Sequence, residues 1–168
     1  PGRGIFMEGK YTDRGKWMDG WESRRKRTPG HDWCVVQLAT SSKIRGFDID
    51  THFFLGNHPP QASMEAAYLP ADTRITDWEN APVSWVEVLP KSPVDPGSQN
   101  FYTCTSEAVF THVRLHIYPD GGVARLKVYG EVHKNWSEVA PDALLDLAAA
   151  VNGAQAIGCN DMFFSDMR

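Results

Sequence analysis

The chain has 168 residues, of which 42% are apolar and 23% charged, with a formal net charge of −4. This length suits one domain of about 100–200 residues, and the composition excludes disorder, collagen and coiled coil as the main state. No apolar run approaches the roughly 18 residues that a membrane span needs. The cysteines form no CxxC pair, which disfavours a zinc ribbon or a disulfide framework and favours a reducing compartment.

The charge is distributed unevenly along the chain. Residues 1–30 carry eight Lys or Arg and four Asp or Glu, whereas residues 31–168 carry nine and seventeen. The basic excess peaks at the run Arg24-Arg25-Lys26-Arg27. Such a run predicts a solvated loop, or a patch that binds nucleic acid or another anion. A pI near 5.8 argues against nucleic acid as the main partner.

Short β-rich runs separated by turn residues fill the first 130 residues. Apolar runs and period-two alternation predict strands at 33–38, 44–50, 62–68 and 84–89. Loops are predicted at 56–60, 69–73 and 90–100, which are rich in Gly, Pro and Asn. Many short strands at this spacing predict an all-β sandwich or jelly roll.

The strongest strand signal covers residues 109–130. Apolar residues alternate with His112, Arg114 and His116, so one face is predicted to be core and the other polar. The sequence Pro-Asp-Gly-Gly at 119–122 predicts a turn, and we expect 123–130 to return as the second strand of a hairpin. This hairpin would pair His116 with Arg125.

Helical periodicity is scarce until near the end of the chain. An apolar stripe within Glu138 to Val151, followed by Asn152-Gly153, predicts one helix. The run at 156–164 then resumes a β-like pattern.

The segment 17–33 is the densest in polar and aromatic side chains and contains three of the six tryptophans. We expect it to be a structured loop on a rigid scaffold, where binding groups concentrate. The alternative is a loop that is merely pinned by Trp packing and Asp–Arg pairs. Its candidate functional residues are Asp19, Glu22, Arg24, Arg25, His31 and Asp32.

A second polar segment follows the predicted strand 44–50. Asp50 and His52 lie at i and i+2, with His58 in the next loop, and together with His31 they could form a metal site. The spacing is not diagnostic, because no HxH or HExxH motif occurs. The favoured alternative is that Asp50 caps a turn. In the hairpin, Arg125 could bind a small carboxylate through two parallel hydrogen bonds.

Three segments together resemble the allantoicase family. They are KWMDGWESRRKRTPGHDW, RGFDIDTHFFLGNHPPQAS and THVRLHIYPDGGVARLKVYGEV, in the family's order and at about its spacing. The match covers most of residues 5–136. It implies a galactose-binding-like jelly-roll β-sandwich, usually present as two tandem repeats. Residues 1–136 would then form one repeat, 137–153 a helical linker, and 154–168 the start of a second repeat.

The resemblance implies hydrolysis of allantoate to ureidoglycolate and urea in purine breakdown. It also implies a homo-oligomer, cytoplasmic or peroxisomal, with no nucleic-acid or membrane partner. Two departures stand out: His116 occupies a position where the family more often has Asn, and CNDMFFSDMR differs from the family's usual serine-aspartate opening. The alternative function is an inactive family member that binds sugars or small ligands.

Allantoate carries one carboxylate and two ureido groups on a single carbon, so its hydrolysis needs an anion clamp and a proton-transfer group. Arg24 or Arg125 would bind the carboxylate. No cofactor is certain, and a divalent ion such as Mn²⁺ stays open. We predict Glu22, His31 and Asp32 as catalytic, and as substrate-binding residues Asp19, Arg24, Asp50, Asn57 and Arg125.

Overall fold

The computed structural model of the chain describes residues 2–70 and 73–154. Its regular elements there are ten strands and two 3₁₀ turns, Trp136–Glu138 and Ala150–Asn152. The strands are β1 (Tyr11–Thr12), β2 (Gly15–Lys16), β3 (Trp21–Glu22), β4 (Asp32–Asp50), β5 (Gln61–Ala67), β6 (Val86–Pro93), β7 (Gln99–Thr103), β8 (Val109–Tyr118), β9 (Gly122–Val123) and β10 (Arg125–Val132).

Strand β4 is 19 residues long and joins the two layers of the fold. Its first half pairs with β8, and β5 and β6 continue that layer beyond β8. Its second half lies between β7 and β10. Every pairing is antiparallel. The predicted all-β, galactose-binding-like jelly-roll β-sandwich is therefore confirmed.

The core lies between the layers and is built by alternate residues of the long strands. Val113, Leu115 and Ile117 on β8 are almost fully buried, as the period-two pattern predicts. Met64 on β5 lies beside Leu115 in the same layer, and Phe47 on the second half of β4 belongs to the same core cluster. Burying each such side chain contributes about 1.5–3 kcal/mol. This core gives the layers a rigid frame.

The predicted hairpin at 109–130 is wrong. Strand β8 lies between β4 and β5, whereas β10 pairs with the other half of β4, so His116 does not pair with Arg125. The residues after the turn first form β9, which pairs with β3. A Cβ atom at Gly122 would lie 1.9 Å from the Phe54 ring. The packing of Phe54 and the pairing of β3 at this turn therefore keep β8 and β10 from forming a hairpin.

Two other predictions also need correction. Part of the predicted loop 90–100 is regular, because β6 continues through Pro93 and β7 begins at Gln99. The helix predicted from Glu138 to Val151 is not formed in the described residues, which contain only the two 3₁₀ turns there. Leu144 and Leu147 are largely exposed. An amphipathic helix of this length is marginal without a surface that covers its apolar face, and no residue in the described part of the chain covers these two leucines.

The β-like run predicted at 156–164 lies outside the described residues. The division into a repeat, a linker and a second repeat therefore stays a prediction. Neither helical turn in residues 2–70 and 73–154 has the length and apolar character needed to cross a membrane.

Replacing Gly122 with Ala should destabilise the protein by about 1–3 kcal/mol, the usual cost of overpacking a filled site. The new methyl group would overlap the Phe54 ring and force it from its place. Denaturant unfolding of the purified protein measures the change. Gly56→Ala is the control, because a Cβ atom there meets nothing within 4 Å, and its effect should stay within about 0.5 kcal/mol. Equal stability of both variants would contradict this packing.

Candidate functional site

The loop between β3 and β4 is fastened to the turn that follows β8. The backbone N–H of Ser23 donates to the carbonyl of Gly121 at 3.0 Å. The backbone N–H of Lys26 donates to Asp120 Oδ2 at 2.7 Å, and that of Asp32 to the carbonyl of Pro119 at 3.1 Å. These bonds connect both ends of the basic loop to one end of the sandwich.

A cleft of about 930 Å³ opens beside this loop. Arg24, Arg25 and Arg27 line it, and all three are exposed. None of them forms an ion pair with a described residue. Lys26 differs, because its Nζ lies 2.5 Å from Asp32 Oδ1. The cleft, which Glu79 also lines, therefore offers an excess of positive charge to an anion.

His31 contributes an imidazole to the same cleft. Its ring packs against Tyr118 with 4.4 Å between centroids, and its Nε2 lies 2.8 Å from His116 Nδ1. Burial lowers the pKa of His31, and the charges of His116, Lys26 and Lys91 lower it further. A lowered pKa keeps the ring neutral at pH 7, as a general base requires.

Asp32 adjoins His31 but has a different electrostatic environment. Burial alone would raise the pKa of Asp32, but the hydrogen bond from Lys26 helps to hold it below the usual value. The carboxylate is therefore ionised at neutral pH and can only accept hydrogen bonds. It suits the N–H groups of a ligand rather than the role of proton donor.

Glu22 and Asn57 meet on the other side of the basic loop. The Asn57 amide donates to Glu22 Oε1 at 2.6 Å. Both residues line an adjoining cleft that also contains Arg24 and Arg25. The two arginines therefore belong to both clefts and connect the Glu22–Asn57 pair with the side that holds His31.

Asp19 and Arg125 bind each other rather than facing the cleft. Arg125 donates to Asp19 Oδ2 at 2.7 Å, and its remaining donors bond to carbonyls, including those of Gly2 and Ala124. Asp19 also accepts the backbone N–H of Ile5 at 2.9 Å. This is the pinning pair of the alternative interpretation, and it anchors the N-terminal segment to β10.

Asp50 is fully buried at the end of β4. Its Oδ1 accepts from the backbone N–H of His52 at 2.8 Å and lies 2.7 Å from His52 Nδ1. Asp50 thus caps the turn after β4, as the favoured alternative predicts. Within residues 2–70 and 73–154, no three His, Cys, Asp or Glu side chains are arranged to hold a metal ion, so the predicted cluster with His31 and His58 is not assembled.

The sequence did not indicate that Glu65 lies behind His31 and His116. Glu65 on β5 contacts both Arg114 and His116 of β8, with its Oε2 2.6 Å from Arg114 and 2.7 Å from His116. Strand β8 has the polar face that its sequence predicts, but the histidines on that face are buried rather than exposed to solvent. Glu65 was missed because only the register of β5 against β8 brings it there.

This geometry defines a class: a jelly-roll domain with a basic cleft that contains a neutral imidazole and an ionised carboxylate. Residues 3–133 match the sequence pattern of the allantoicase repeat family. The chain belongs to the allantoicase family.

Similar proteins agree on this family. A probable allantoicase of Photobacterium profundum is 51% identical over 159 residues, which are 95% of this chain and 47% of that protein. A second, from Pseudomonas savastanoi pv. phaseolicola, is 46% identical over 167 residues, 99% of this chain and 49% of that protein.

Solved structures agree on the fold. One allantoicase structure superimposes with a TM-score of 0.76 at 34% identity, covering 99% of this chain and 48% of the other. The allantoicase of Saccharomyces cerevisiae gives a TM-score of 0.67 at 35% identity, covering 82% and 42%. The chain thus spans about half the length of the relatives it matches.

The pKa of His31 should lie below the ordinary value of about 6.5 when it is measured by NMR titration. Asp32→Asn should lower it further, because the Asp32 charge stabilises the imidazolium. Lys26→Met should raise it, since the Lys26 charge has the opposite effect. A pKa above 6.5 in the wild type, or the reverse order of the two variants, would contradict the electrostatics described for the cleft.

Proposed function

We propose that the protein hydrolyses allantoate to ureidoglycolate and urea, and that the cleft beside the basic loop binds the substrate. The observation that carries the proposal is that one cleft combines unpaired guanidinium groups with the neutral imidazole of His31. Membership of the allantoicase family supports this choice of substrate.

The cleft suits the polar groups of allantoate. A guanidinium binds a carboxylate through two parallel, charge-assisted hydrogen bonds, and Arg24 is free to do so. The ionised Asp32 accepts N–H bonds from one ureido group. The Glu22–Asn57 pair, reached across Arg24, provides acceptors and donors for the other ureido group.

The reaction transfers one proton in total. The oxygen of water bonds to the central carbon, and the bond from that carbon to one ureido nitrogen breaks. One water proton passes to His31 and then to the departing nitrogen, which leaves as urea. A neutral imidazole can perform both transfers, because it accepts the first proton and becomes the acid for the second.

In this proposal, the remaining candidate residues have structural roles. Asp19 and Arg125 hold the N-terminal segment, and Asp50 caps the turn that leads to Asn57. Homo-oligomeric assembly, a cytoplasmic or peroxisomal location and the lack of a nucleic-acid partner stay predictions.

Replacing His31 with Ala should lower kcat for urea release by about 10²–10⁴-fold, the usual contribution of a positioned acid or base. KM should change much less, because the carboxylate clamp remains. Urea release from allantoate measures both constants, and a thermal melt checks folding. Wild-type kcat in a folded variant would remove His31 from the mechanism. If the wild type binds allantoate but releases no urea, the protein is a binding module instead.

Replacing Arg24 with Ala should raise KM for allantoate at least about tenfold, since a charge-assisted bond contributes about 1.5–3 kcal/mol. The KM of Arg24→Lys should lie between those of the wild type and Arg24→Ala, because an ammonium keeps the charge but loses the planar pair of donors. The control is Arg45→Ala, which removes an exposed pairing with Glu107 and Glu131. An unchanged KM in Arg24→Ala, or an equal increase in the control, would refute the clamp.

A further inference from the structure

A row of three side chains extends from the cleft into the outer face of the β5–β8 layer. His31 is in the cleft, His116 lies behind it and is 8% exposed, and Glu65 lies behind His116. His31 Nε2 and His116 Nδ1 are 2.8 Å apart. His116 Nε2 and Glu65 Oε2 are 2.7 Å apart. Both distances are those of hydrogen bonds.

The charge on Glu65 determines the direction of these bonds. Its Oε2 accepts from Arg114 Nε at 2.9 Å and from a terminal Arg114 nitrogen at 2.6 Å. Burial alone would raise the pKa of Glu65, but the bonds from His116 and Arg114 lower it overall. An ionised carboxylate can only accept, so His116 Nε2 must donate to it.

The remaining nitrogen atoms follow from that assignment. When both imidazoles are neutral, as in solution above their titration, donation from His116 Nε2 leaves its Nδ1 as an acceptor. His31 Nε2 therefore carries the proton that bonds to His116. The lone pair of His31 is then on Nδ1, which has no hydrogen-bond partner among the described residues.

The packing around His31 fixes the plane of its ring as well. Its ring lies against Tyr118, whose hydroxyl is 2.9 Å from Ser63 Oγ and whose face contacts Lys91. The Arg114–Glu65 ion pair alone would neutralise the charges on this face of the sheet, so a purely structural role would not require His31. The loop residue His31 instead ends this row at the wall of the anion cleft.

We propose that Glu65 and His116 are positioning residues that hold His31 in the tautomer with Nδ1 open to the cleft. The Glu65 carboxylate also stabilises the imidazolium that forms when His31 takes up a proton. An oriented acid–base histidine with a half-buried carboxylate behind it follows the general logic of catalytic triads, here with a second imidazole inserted between them. This proposal rests on the proposed function in one respect, namely that the reaction assisted by His31 is the hydrolysis of allantoate.

The first test is independent of activity. The ¹⁵N shifts of His31 in histidine-labelled protein, recorded above its titration, report which nitrogen carries the proton. The wild type should show protonated Nε2 and unprotonated Nδ1. His116→Phe should give a mixture of tautomers. A protonated Nδ1 in the wild type, or the same tautomer in His116→Phe, would overturn the proposal.

The second test uses kinetics and a conservative rescue. His116→Phe should lower kcat at least about tenfold but less than His31→Ala does, because it disturbs the general base, which contributes about 10²–10⁴-fold, without removing it. KM should change less than about twofold. His116→Asn should recover most of the lost kcat, because an amide can donate to Glu65 and accept from His31. Equal loss in both folded variants would overturn the proposal. If the wild type released no urea, only the proposed function would fail, since the tautomer measurement would still decide this inference.

Discussion

The pairing of the single strand β4 with both layers is the constraint on which the site depends. Its first half, in register with β8, sets Trp33 opposite His116, which brings His31, two residues before Trp33, against the His116 ring. Its second half, in register with β10, sets Asp50 opposite Arg125. One strand therefore positions His31, just before its first residue, and the structural anchors near its end. A slip of one residue would reverse every side chain and dismantle the cleft together with the core.

The cleft concentrates positive charge where the fold gains little from it. Like charges repel, and Arg24, Arg25 and Arg27 have no acidic partner in the described part of the chain. The loop is held instead through Lys26, by bonds from its backbone to Asp120 and from its side chain to Asp32. Residues that cost stability without packing in return are typical of binding sites. Burial, together with the nearby charge of Lys26, lowers the pKa of His31 and keeps its ring neutral beside these arginines.

The sequence predicted whatever depends on local pattern. Period-two alternation gave β5 and the two faces of β8, and the density of charge and Trp indicated the loop at 23–31. It could not predict partners chosen by distant packing. The turn at 119–122 reads as a hairpin, yet Phe54 and β3 occupy it. Glu65 carries no signal of its own, because only strand register places it behind His116. The apolar stripe of 138–151 predicted a helix, but Leu144 and Leu147 are largely exposed among the residues that the structure describes.

The central claim is that one cleft binds the substrate carboxylate at the basic loop and presents the reacting carbon to His31. A crystal structure of the His31→Ala protein with allantoate tests it most directly. We expect the carboxylate to lie within hydrogen-bond distance of the Arg24 guanidinium. One ureido group should reach Asp32, and the central carbon should face the space left by the imidazole. Allantoate bound elsewhere, for example against Asp19 and Arg125, with this cleft empty would contradict the account.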